Sequence, residues 1–407
     1  MIQKDSCKGG VVFIAPTLPI DVVVMARALE ANGRLSRLVT RSCFTEPLRG
    51  WAAKIGFPAA WTRRPAAPVD SSKLRRVWSS DLRQRAGSWF NENAFATLDA
   101  AFAAVDRVAA KFVTNRTRAV VAREDSCLAS FERARHLRIP RIYVMPTAHH
   151  STVHRLIRRE TTEFPELFSN GEISADFAPT RAARKDTELE MATHIVCPSG
   201  FVRDSLRSAG FAPERLVTLA FGTECGLTSC ATMRRDPLFL YVGKISARKG
   251  VHRLIRVWKQ LGAYRTHRLR LIGELALPKT YIKAYRNVFE HVPRLPRESL
   301  SEEYSKAQAF VFNALADGFG HVVGEAMACG TPVLASRNSG APDLIRDESE
   351  GRLVEYGDEQ ALGSVLDWAL THPAALADMG RAARNRALER NWNLFAGEFV
   401  AWMTSVI

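Results

Sequence analysis

The feature that most constrains the fold is a regular alternation of strand-length apolar runs with helical patterns along almost the whole chain. In the first half the apolar runs lie at 11–16, 118–125, 139–146, 193–199 and 215–222. A second series begins after Cys230, with runs at 237–244, 267–274, 309–314 and 331–336. Such alternation produces parallel sheets with helices on both faces. The sequence therefore predicts an α/β protein with two doubly wound parallel sheets.

The break between the two series, near residues 223–236, predicts the domain boundaries. We expect an N-terminal domain over 1–228, a C-terminal domain over 229–390 and a final helical segment over 391–407 that crosses back to the N-terminal domain. The ligands of open parallel sheets bind beyond the carboxyl ends of the strands. Two facing Rossmann-like domains of this kind would enclose a cleft.

Composition limits the function classes. The chain has 57 Lys and Arg against 42 Asp and Glu, a net charge of +15. This excess favours phosphorylated substrates or an anionic membrane surface, or it is simply a basic solvated surface. The sequence contains no compact Lys/Arg block, so we expect no nucleic acid partner. The seven cysteines form no disulfide framework, and no apolar run reaches a membrane span, which predicts a cytoplasmic protein.

The stretch "DGFGHVVGEAMACGTPVLAS", residues 317–336, is the most informative segment for chemistry. Gly318 and Gly320 allow the backbone to approach a ligand closely, and a helix begins directly after them. The unpaired amides and the dipole at a helix N-terminus favour phosphate. Glu325 lies about one turn into the helix, where a carboxylate suits sugar hydroxyls. The simpler alternative is that Asp317 caps the turn and Glu325 is solvated.

Two lysines in "VGKISARKG", residues 242–250, lie at the same predicted edge of the sheet as this turn. Lys244 follows a strand and Lys249 precedes a helix. Together they would stabilise a departing nucleoside diphosphate, although either could be a solvated loop charge. An ammonium group 4 Å from a unit negative charge contributes about 4 kcal/mol at an effective dielectric of 20. Because the sequence has no Asp-x-Asp pair for a metal, we expect no metal and no cofactor.

These segments resemble the retaining, nucleotide-sugar-dependent glycosyltransferases of family 4, which have the two-domain GT-B fold. The resemblance runs from about residue 190 to 400. It implies that Lys244 and Lys249 bind the donor diphosphate, that Glu325 holds the ribose, and that Asp317 touches the transferred sugar. The residues that would surround the phosphates and sugar are Gly318, Phe319, Gly320, His321 and Val322. Arg294 and Leu295 would lie near the base.

The chain departs from the family pattern at two of these positions. Asp317 stands where the family has Glu, so the carboxylate reaches one methylene less far, which indicates a different donor sugar or weaker activity. Lys244 stands where the family has Arg, which keeps the charge but loses the bidentate fork.

Histidines follow the strand "IPRIYV" in the first half. The resemblance implies a cleft-lining His near the anomeric carbon, and His149 and His150 are both candidates; a solvated or helix-capping His is the alternative. His150 and His154 also have the i, i+4 spacing of zinc ligands, but no third ligand is evident. The charge-rich segments 158–164 and 181–190 are interpreted as exposed helical faces, with contact to acceptor or membrane as the alternative.

Taken together, the sequence predicts a metal-independent retaining glycosyltransferase. It would move a sugar from a nucleoside-diphosphate sugar, bound by the C-terminal domain, to an acceptor hydroxyl on the N-terminal side. Bacterial surface polysaccharide or glycoconjugate assembly is the expected setting, with a carbohydrate, lipid-linked or small-molecule acceptor. Peripheral contact with the inner face of the membrane is compatible with the charge.

Two other functions were considered. The first is a nucleotide-binding oxidoreductase, which would need a GxGxxG stretch after a strand; the sequence has none. The second is a catalytically decayed GT-B scaffold that binds nucleic acid or a membrane surface through its basic charge.

Overall fold

A seven-stranded, entirely parallel sheet forms the centre of the N-terminal half. The computed structural model describes residues 9–41, 43, 54, 66–78, 94–168, 178–224 and 235–407. The strand order is β3-β2-β1-β4-β5-β6-β7. The strands are β1 Val11–Ile14, β2 Leu35–Thr40, β3 Leu74–Arg76, β4 Ala119–Arg123, β5 Arg141–Val144, β6 His194–Cys197 and β7 Leu216–Thr218.

Helices connect these strands as the alternation of patterns predicts. They are α1 Ile20–Ala31, α2 Ala94–Ala110, α3 Leu128–His136, α4 His150–Glu163, α5 Pro179–Met191 and α6 Gly200–Ser208. Helix α1 ends where Gly33 adopts φ +64°, the left-handed conformation usual after a helix. Ser199 caps α6 by accepting a hydrogen bond from the Val202 amide.

The C-terminal half repeats the same winding with a six-stranded parallel sheet in the order β10-β9-β8-β11-β12-β13. Its strands are β8 Asp236–Val242, β9 Arg268–Ile272, β10 Glu290–Val292, β11 Ala307–Phe312, β12 Val333–Ser336 and β13 Gly351–Val354. Its helices are α7 Val251–Gln260, α8 Lys279–Tyr285, α9 Arg297–Lys306, α10 His321–Ala328 and α11 Ala341–Leu344. Every residue of β11 is buried, as expected for a central strand covered on both faces.

Three helices complete the chain: α12 Glu359–Thr371, α13 Pro373–Glu389 and α14 Trp392–Val406. Asn391 caps α14 through the amides of Asn393 and Leu394. Helix α14 packs against α1 of the first sheet layer, and the Trp402 ring lies 5.9 Å from the His194 ring. The last helix therefore returns from the second sheet to the first.

Several details differ from the sequence-based expectation or lie beyond the described residues. The segment 66–78 contains a short 3₁₀ helix and strand β3 rather than only a loop. The helical pattern that begins at Phe90 is described only from Ala94. The predicted boundary at 228/229, with Cys225 and Cys230, lies outside the described residues. Within the described ranges, no helix is both long and apolar enough to cross a membrane.

Candidate active site

The centre of the candidate site is an ion pair between two loops of the C-terminal sheet. Strands β8 and β11 are neighbours, and Lys249 and Asp317 lie in the loops beyond their carboxyl ends. Lys249 Nζ donates a short hydrogen bond to Asp317 Oδ2, and the Phe319 amide donates to Oδ1 at 3.1 Å. Burial opposes ionisation of Asp317, but the Lys249 ammonium outweighs it and lowers the pKa of this carboxyl.

This pair forms one wall of a small pocket between the two domains. The pocket encloses about 90 Å³, which is room for roughly three water molecules. The C-terminal domain contributes Lys249 and Asp317, and the N-terminal domain contributes the segment after β5. The other lining residues are Pro146, Thr147, Ala148, Val153, Arg248, Ala316 and Gly318. This pocket alone is too small to hold a whole nucleotide sugar.

The two glycines of the Gly-Phe-Gly turn are required for different reasons. A Cβ at Gly318 would lie 1.9 Å from the Pro146 carbonyl oxygen of the other domain. The Gly318 carbonyl also accepts a hydrogen bond of 2.6 Å from Ser199 Oγ. Gly320 has φ +79°, and a Cβ there would lie 2.9 Å from the Phe312 ring. The first glycine allows the close approach of the two domains, and the second allows the turn into α10.

The N-terminus of helix α10 has backbone amides that are not used in hydrogen bonds within the helix. Within the described part of the chain, the amides of Gly320, His321 and Val322 donate to no backbone carbonyl. The ring of His321 stacks on Phe221 with centroids 5.4 Å apart, and Phe319 lies against the same ring at 5.3 Å. Burial lowers the pKa of His321, although the negative charges of Asp21, Glu325 and Asp317 act to raise it. The imidazole is therefore neutral at physiological pH and adds no cation there.

Glu325 faces helix α9. Its Oε1 accepts a hydrogen bond of 2.9 Å from Arg297, and its Oε2 accepts one of 3.2 Å from the Tyr304 hydroxyl. Its side chain is largely buried, so it is not the solvated residue of the simpler interpretation. Arg297 follows Arg294 and Leu295 by two to three positions, so Glu325 and the predicted base-binding segment lie in one neighbourhood.

Lys244 lies at the outer edge of the site. Its Nζ is 3.8 Å from Glu274 Oε1, and the side chain is about half exposed. Its carbonyl accepts a hydrogen bond of 2.9 Å from the Tyr241 hydroxyl, which fixes the start of the loop that leads to Lys249. Both lysines thus lie at the carboxyl end of β8, as predicted.

The structure directs both candidate histidines toward α5 and away from the lining of the pocket. His149 is buried, and its Nδ1 caps α4 by accepting a hydrogen bond from the Ser151 amide. The backbone amide of His149 donates a hydrogen bond of 2.8 Å to Ser205 Oγ. His150 Nε2 lies 2.7 Å from Asp186 Oδ1. Of the segment after β5, Pro146, Thr147 and Ala148 are the residues that reach the cleft.

Sequence reasoning did not single out three residues of this region. Arg248 lines the pocket beside Lys249. Its position next to Lys249 in "SARKG" is the sequence signal that could have identified it. Arg297 bridges Glu325 and Glu224, the latter at 2.6 Å. Asp21, in the first turn of α1, binds Arg123 at 2.7 Å and acts on His321 across the cleft. The partners of Arg297 and Asp21 are distant in sequence, so local sequence patterns could not predict these contacts.

Comparison with protein families places this site in a known context. Residues 232–386 match the family described as Glycosyl transferases group 1. The matched region extends from the start of β8 into α13 and includes the Lys249 and Asp317 loops.

Curated relatives align with only part of the chain. It is 28% identical over 229 residues to the MMP alpha-(1->4)-mannosyltransferase of Mycolicibacterium hassiacum, which covers 54% of each protein. It is 30% identical over 180 residues to the GDP-mannose-dependent alpha-(1-6)-phosphatidylinositol monomannoside mannosyltransferase of Mycolicibacterium smegmatis, covering 38% of this chain and 44% of that protein. The chain thus spans about half the length of these relatives.

Solved structures resemble the whole chain. Sucrose-phosphate synthase from Thermosynechococcus elongatus superposes with a TM-score of 0.68, covering 98% of this chain and 99% of that protein, at 20% identity. This likeness shows the fold, and the predicted GT-B architecture of two parallel-sheet domains with a helical C-terminus is confirmed.

Proposed function

We propose that this protein is a metal-independent retaining glycosyltransferase of family 4 that transfers a sugar from a nucleoside-diphosphate sugar to an acceptor hydroxyl. The observation that carries the proposal is the convergence of Lys249, Asp317 and the amides of the Gly-Phe-Gly turn at the interdomain cleft. The family match over this region supports it. So do the names of the two curated relatives described above, both of which are mannosyltransferases.

In this proposal the donor diphosphate binds where positive charge is already fixed. Lys249 and Lys244 supply ammonium groups, and the N-terminus of α10 supplies unpaired amides. The negative charge on the leaving diphosphate is larger in the transition state than in the bound donor, so these groups accelerate the bond-breaking step as well as bind the donor. Asp317 holds Lys249 in place before the donor arrives and contacts the transferred sugar.

The rest of the donor extends from this turn toward the loop before α9. Glu325 would accept hydrogen bonds from the ribose hydroxyls, and its contact with Arg297 fixes its orientation. Arg294 and Leu295 would lie beside the base. The M. smegmatis relative is described as GDP-mannose-dependent, so a guanosine diphosphate sugar is the first donor to test.

The acceptor enters from the N-terminal domain along the Pro146–Ala148 segment. Closure of the domains aligns the acceptor oxygen with the anomeric carbon and excludes water. On the same face of the sugar the bond from that carbon to the diphosphate oxygen breaks as the bond to the acceptor oxygen forms. The departing phosphate oxygen takes the acceptor proton, and the anomeric configuration is retained.

The basic charge suits a lipid-linked or anionic acceptor at the cytoplasmic face of a membrane, in the assembly of surface polysaccharide or glycoconjugate. The alternative of a decayed scaffold that binds nucleic acid gains no support from the site, because the donor-side groups predicted from the sequence lie together.

A thermal-shift screen of the pure protein against GDP-, UDP-, ADP- and TDP-linked sugars tests the proposal. One donor should raise Tm, and Lys249→Ala should abolish that shift, because the diphosphate loses the cation at the centre of the site. His154→Ala, on the exposed face of α4, is the matched control and should leave the shift unchanged. A donor shift that survives in the Lys249 variant, or no shift and no donor hydrolysis with any sugar, would contradict the assignment.

A further inference from the structure

Outside the candidate active site, three metal-ligating side chains of the N-terminal domain converge. His149 and His150 begin α4, and Asp186 lies on α5. Asp186 Oδ1 is 2.7 Å from His150 Nε2 and 3.3 Å from His149 Nε2. The two imidazole rings lie side by side, with centroids 4.2 Å apart. Three ligand atoms from two helices thus lie within 4.8 Å of one another.

The Nε2 atom of His149 is the unexplained atom of this group. The side chain is about 5% exposed, and within the described residues Nε2 is buried without a hydrogen bond. A buried polar nitrogen without a partner is unfavourable. Asp186 Oδ1 lies 3.3 Å from it, but the geometry is not that of a hydrogen bond.

The surroundings fit a bound cation better than a simple ion pair. His149 Nδ1 lies 2.7 Å from Ser151 Oγ and 3.3 Å from the Ser151 amide. A metal at Nε2 requires the tautomer in which Nδ1–H donates to Ser151 Oγ, the kind of outer contact that commonly orients a metal-bound imidazole, and the 3.3 Å cap is then given up. Lys185, the residue before Asp186 on α5, is directed to Glu124 at 3.1 Å. The Asp186 carboxylate supplies the negative charge of the site.

We propose that His149, His150 and Asp186 bind one divalent transition-metal ion of the Zn²⁺ type, with water at the fourth position. Zinc bonds to imidazole and carboxylate are about 2.0–2.1 Å, which places tetrahedral ligands about 3.3 Å apart. The 3.3 Å separation matches this edge. The 2.7 Å separation would lengthen, and the two imidazole nitrogens, which lie within 4.8 Å of each other, would move to the same spacing by side-chain rotation. The i, i+4 partner His154 is not part of this set, because the third ligand comes from α5.

The position of the site gives the ion a structural role. Pro146, Thr147 and Ala148 line the interdomain pocket and directly precede His149. An ion at His149 and His150 would fix this segment to α5 and hence set the acceptor side of the cleft. The ion lies outside the donor site, so it differs from a catalytic metal on the diphosphate.

Zinc binding by the full chain tests the proposal directly. The protein is stripped with a chelator, dialysed against Zn²⁺, and its bound metal is measured by mass spectrometry and by competition with a chromophoric chelator. The wild type should bind one equivalent through this site. His150→Ala and Asp186→Ala should each lose that equivalent, with affinity lower by at least about 100-fold. Both positions are partly exposed, so these variants avoid the buried cap His149.

The control variants remove one histidine from α4 and one acid from α5 that do not belong to the proposed site. His154→Ala on α4 and Glu190→Ala on α5 should bind zinc as the wild type does. Absence of stoichiometric zinc on the wild type would overturn the proposal. The proposal would also be overturned if both ligand variants kept the bound zinc, because the ion would then be held by thiols elsewhere in the chain. Loss of the zinc in His154→Ala would overturn it as well. Because the measurement uses metal alone, its result is independent of the glycosyltransferase proposal.

Discussion

At the scale of single residues, the site depends on how acids and bases are paired before any substrate binds. Asp317 serves two groups at once, the Lys249 ammonium and the Phe319 amide. With one methylene less than glutamate, it lies close to its own turn and orders that turn. Glu325, by contrast, is held by Arg297 and Tyr304. The two acids of the motif therefore have different partners and should affect different kinetic constants.

We expect Glu325→Gln to raise KM for the donor about tenfold with little change in kcat. The amide keeps the shape but accepts weaker hydrogen bonds from ribose hydroxyls, a loss of about 1.4 kcal/mol that is shared by the ground state and the transition state. Steady-state kinetics at varied donor concentration would measure it. Glu298→Gln, on the exposed first turn of α9, is the control. A lower kcat at unchanged KM would place Glu325 at the reacting centre instead.

At the scale of elements, burial decided which parts of the fold were predictable. Central strands such as β11 have uninterrupted apolar sequences because both faces are covered. Strands β2, β3, β10 and β13 were missed. The last three are edge strands of three or four residues that contain charged side chains, and the apolar pattern of β2 is interrupted by Ser36 and Arg37. The breaks between the last three helices, at Pro373 and Asn391, have local causes, since proline and a capping side chain act within a few residues.

The interpretation of 158–164 and 181–190 as exposed helical faces was wrong for their central acids. Glu160 and Glu188 are each about 1% exposed. Glu188 accepts hydrogen bonds from the amides of Asp125 and Cys127, which belong to the segment before α3. Burial, reinforced by the charge of Asp125, raises the pKa of Glu188 to about 8. A charge-rich helix has the same sequence pattern whether its partners are water or distant residues, so the sequence could not distinguish them.

Two glycine substitutions should have opposite effects on stability. Gly320→Ala should destabilise the protein by about 1–3 kcal/mol, because it forces a side chain into a left-handed residue beside the Phe312 ring. Gly397→Ala, in the exposed interior of α14 where a Cβ meets nothing within 4 Å, should stabilise it by about 0.5–1 kcal/mol. Urea unfolding of both variants measures the difference. A neutral Gly320→Ala would show that the turn does not require its conformation.

At the scale of the whole molecule, a buried ion cluster joins the two domains. Glu160 of α4 binds His252 at 2.6 Å and Arg253 at 2.7 Å, both on α7, and the Tyr356 hydroxyl at 2.7 Å. The partners lie 92 to 196 positions away in sequence. Because these partners are so far apart in sequence, the sequence did not predict the interface, whereas it did predict that each half forms a parallel sheet. The cluster stabilises the closed arrangement in which the pocket is small.

The protonation of Glu160 should couple this closure to pH. Burial alone would raise the pKa of Glu160, but hydrogen bonds from His252 and Arg253 outweigh it and lower the value to about 2, from an ordinary 4.5. A lowered carboxyl pKa stabilises the folded state above the ordinary value, and this contribution is lost as the pH falls from 4.5 toward 2. The corresponding free energy is on the order of 3 kcal/mol.

Glu160→Gln should therefore open the domains and weaken this acid dependence. Removing one partner of a buried ion cluster leaves Arg253 without its main compensating charge, which costs about 3–5 kcal/mol. We expect a larger radius of gyration by small-angle X-ray scattering at neutral pH, and a flatter stability curve between pH 4.5 and 2. Glu132→Gln, which removes an exposed pair with Arg135, should change neither. If Glu160→Gln keeps the wild-type radius and acid sensitivity, other interdomain contacts, such as the hydrogen bond from Ser199 to Gly318, hold the cleft closed.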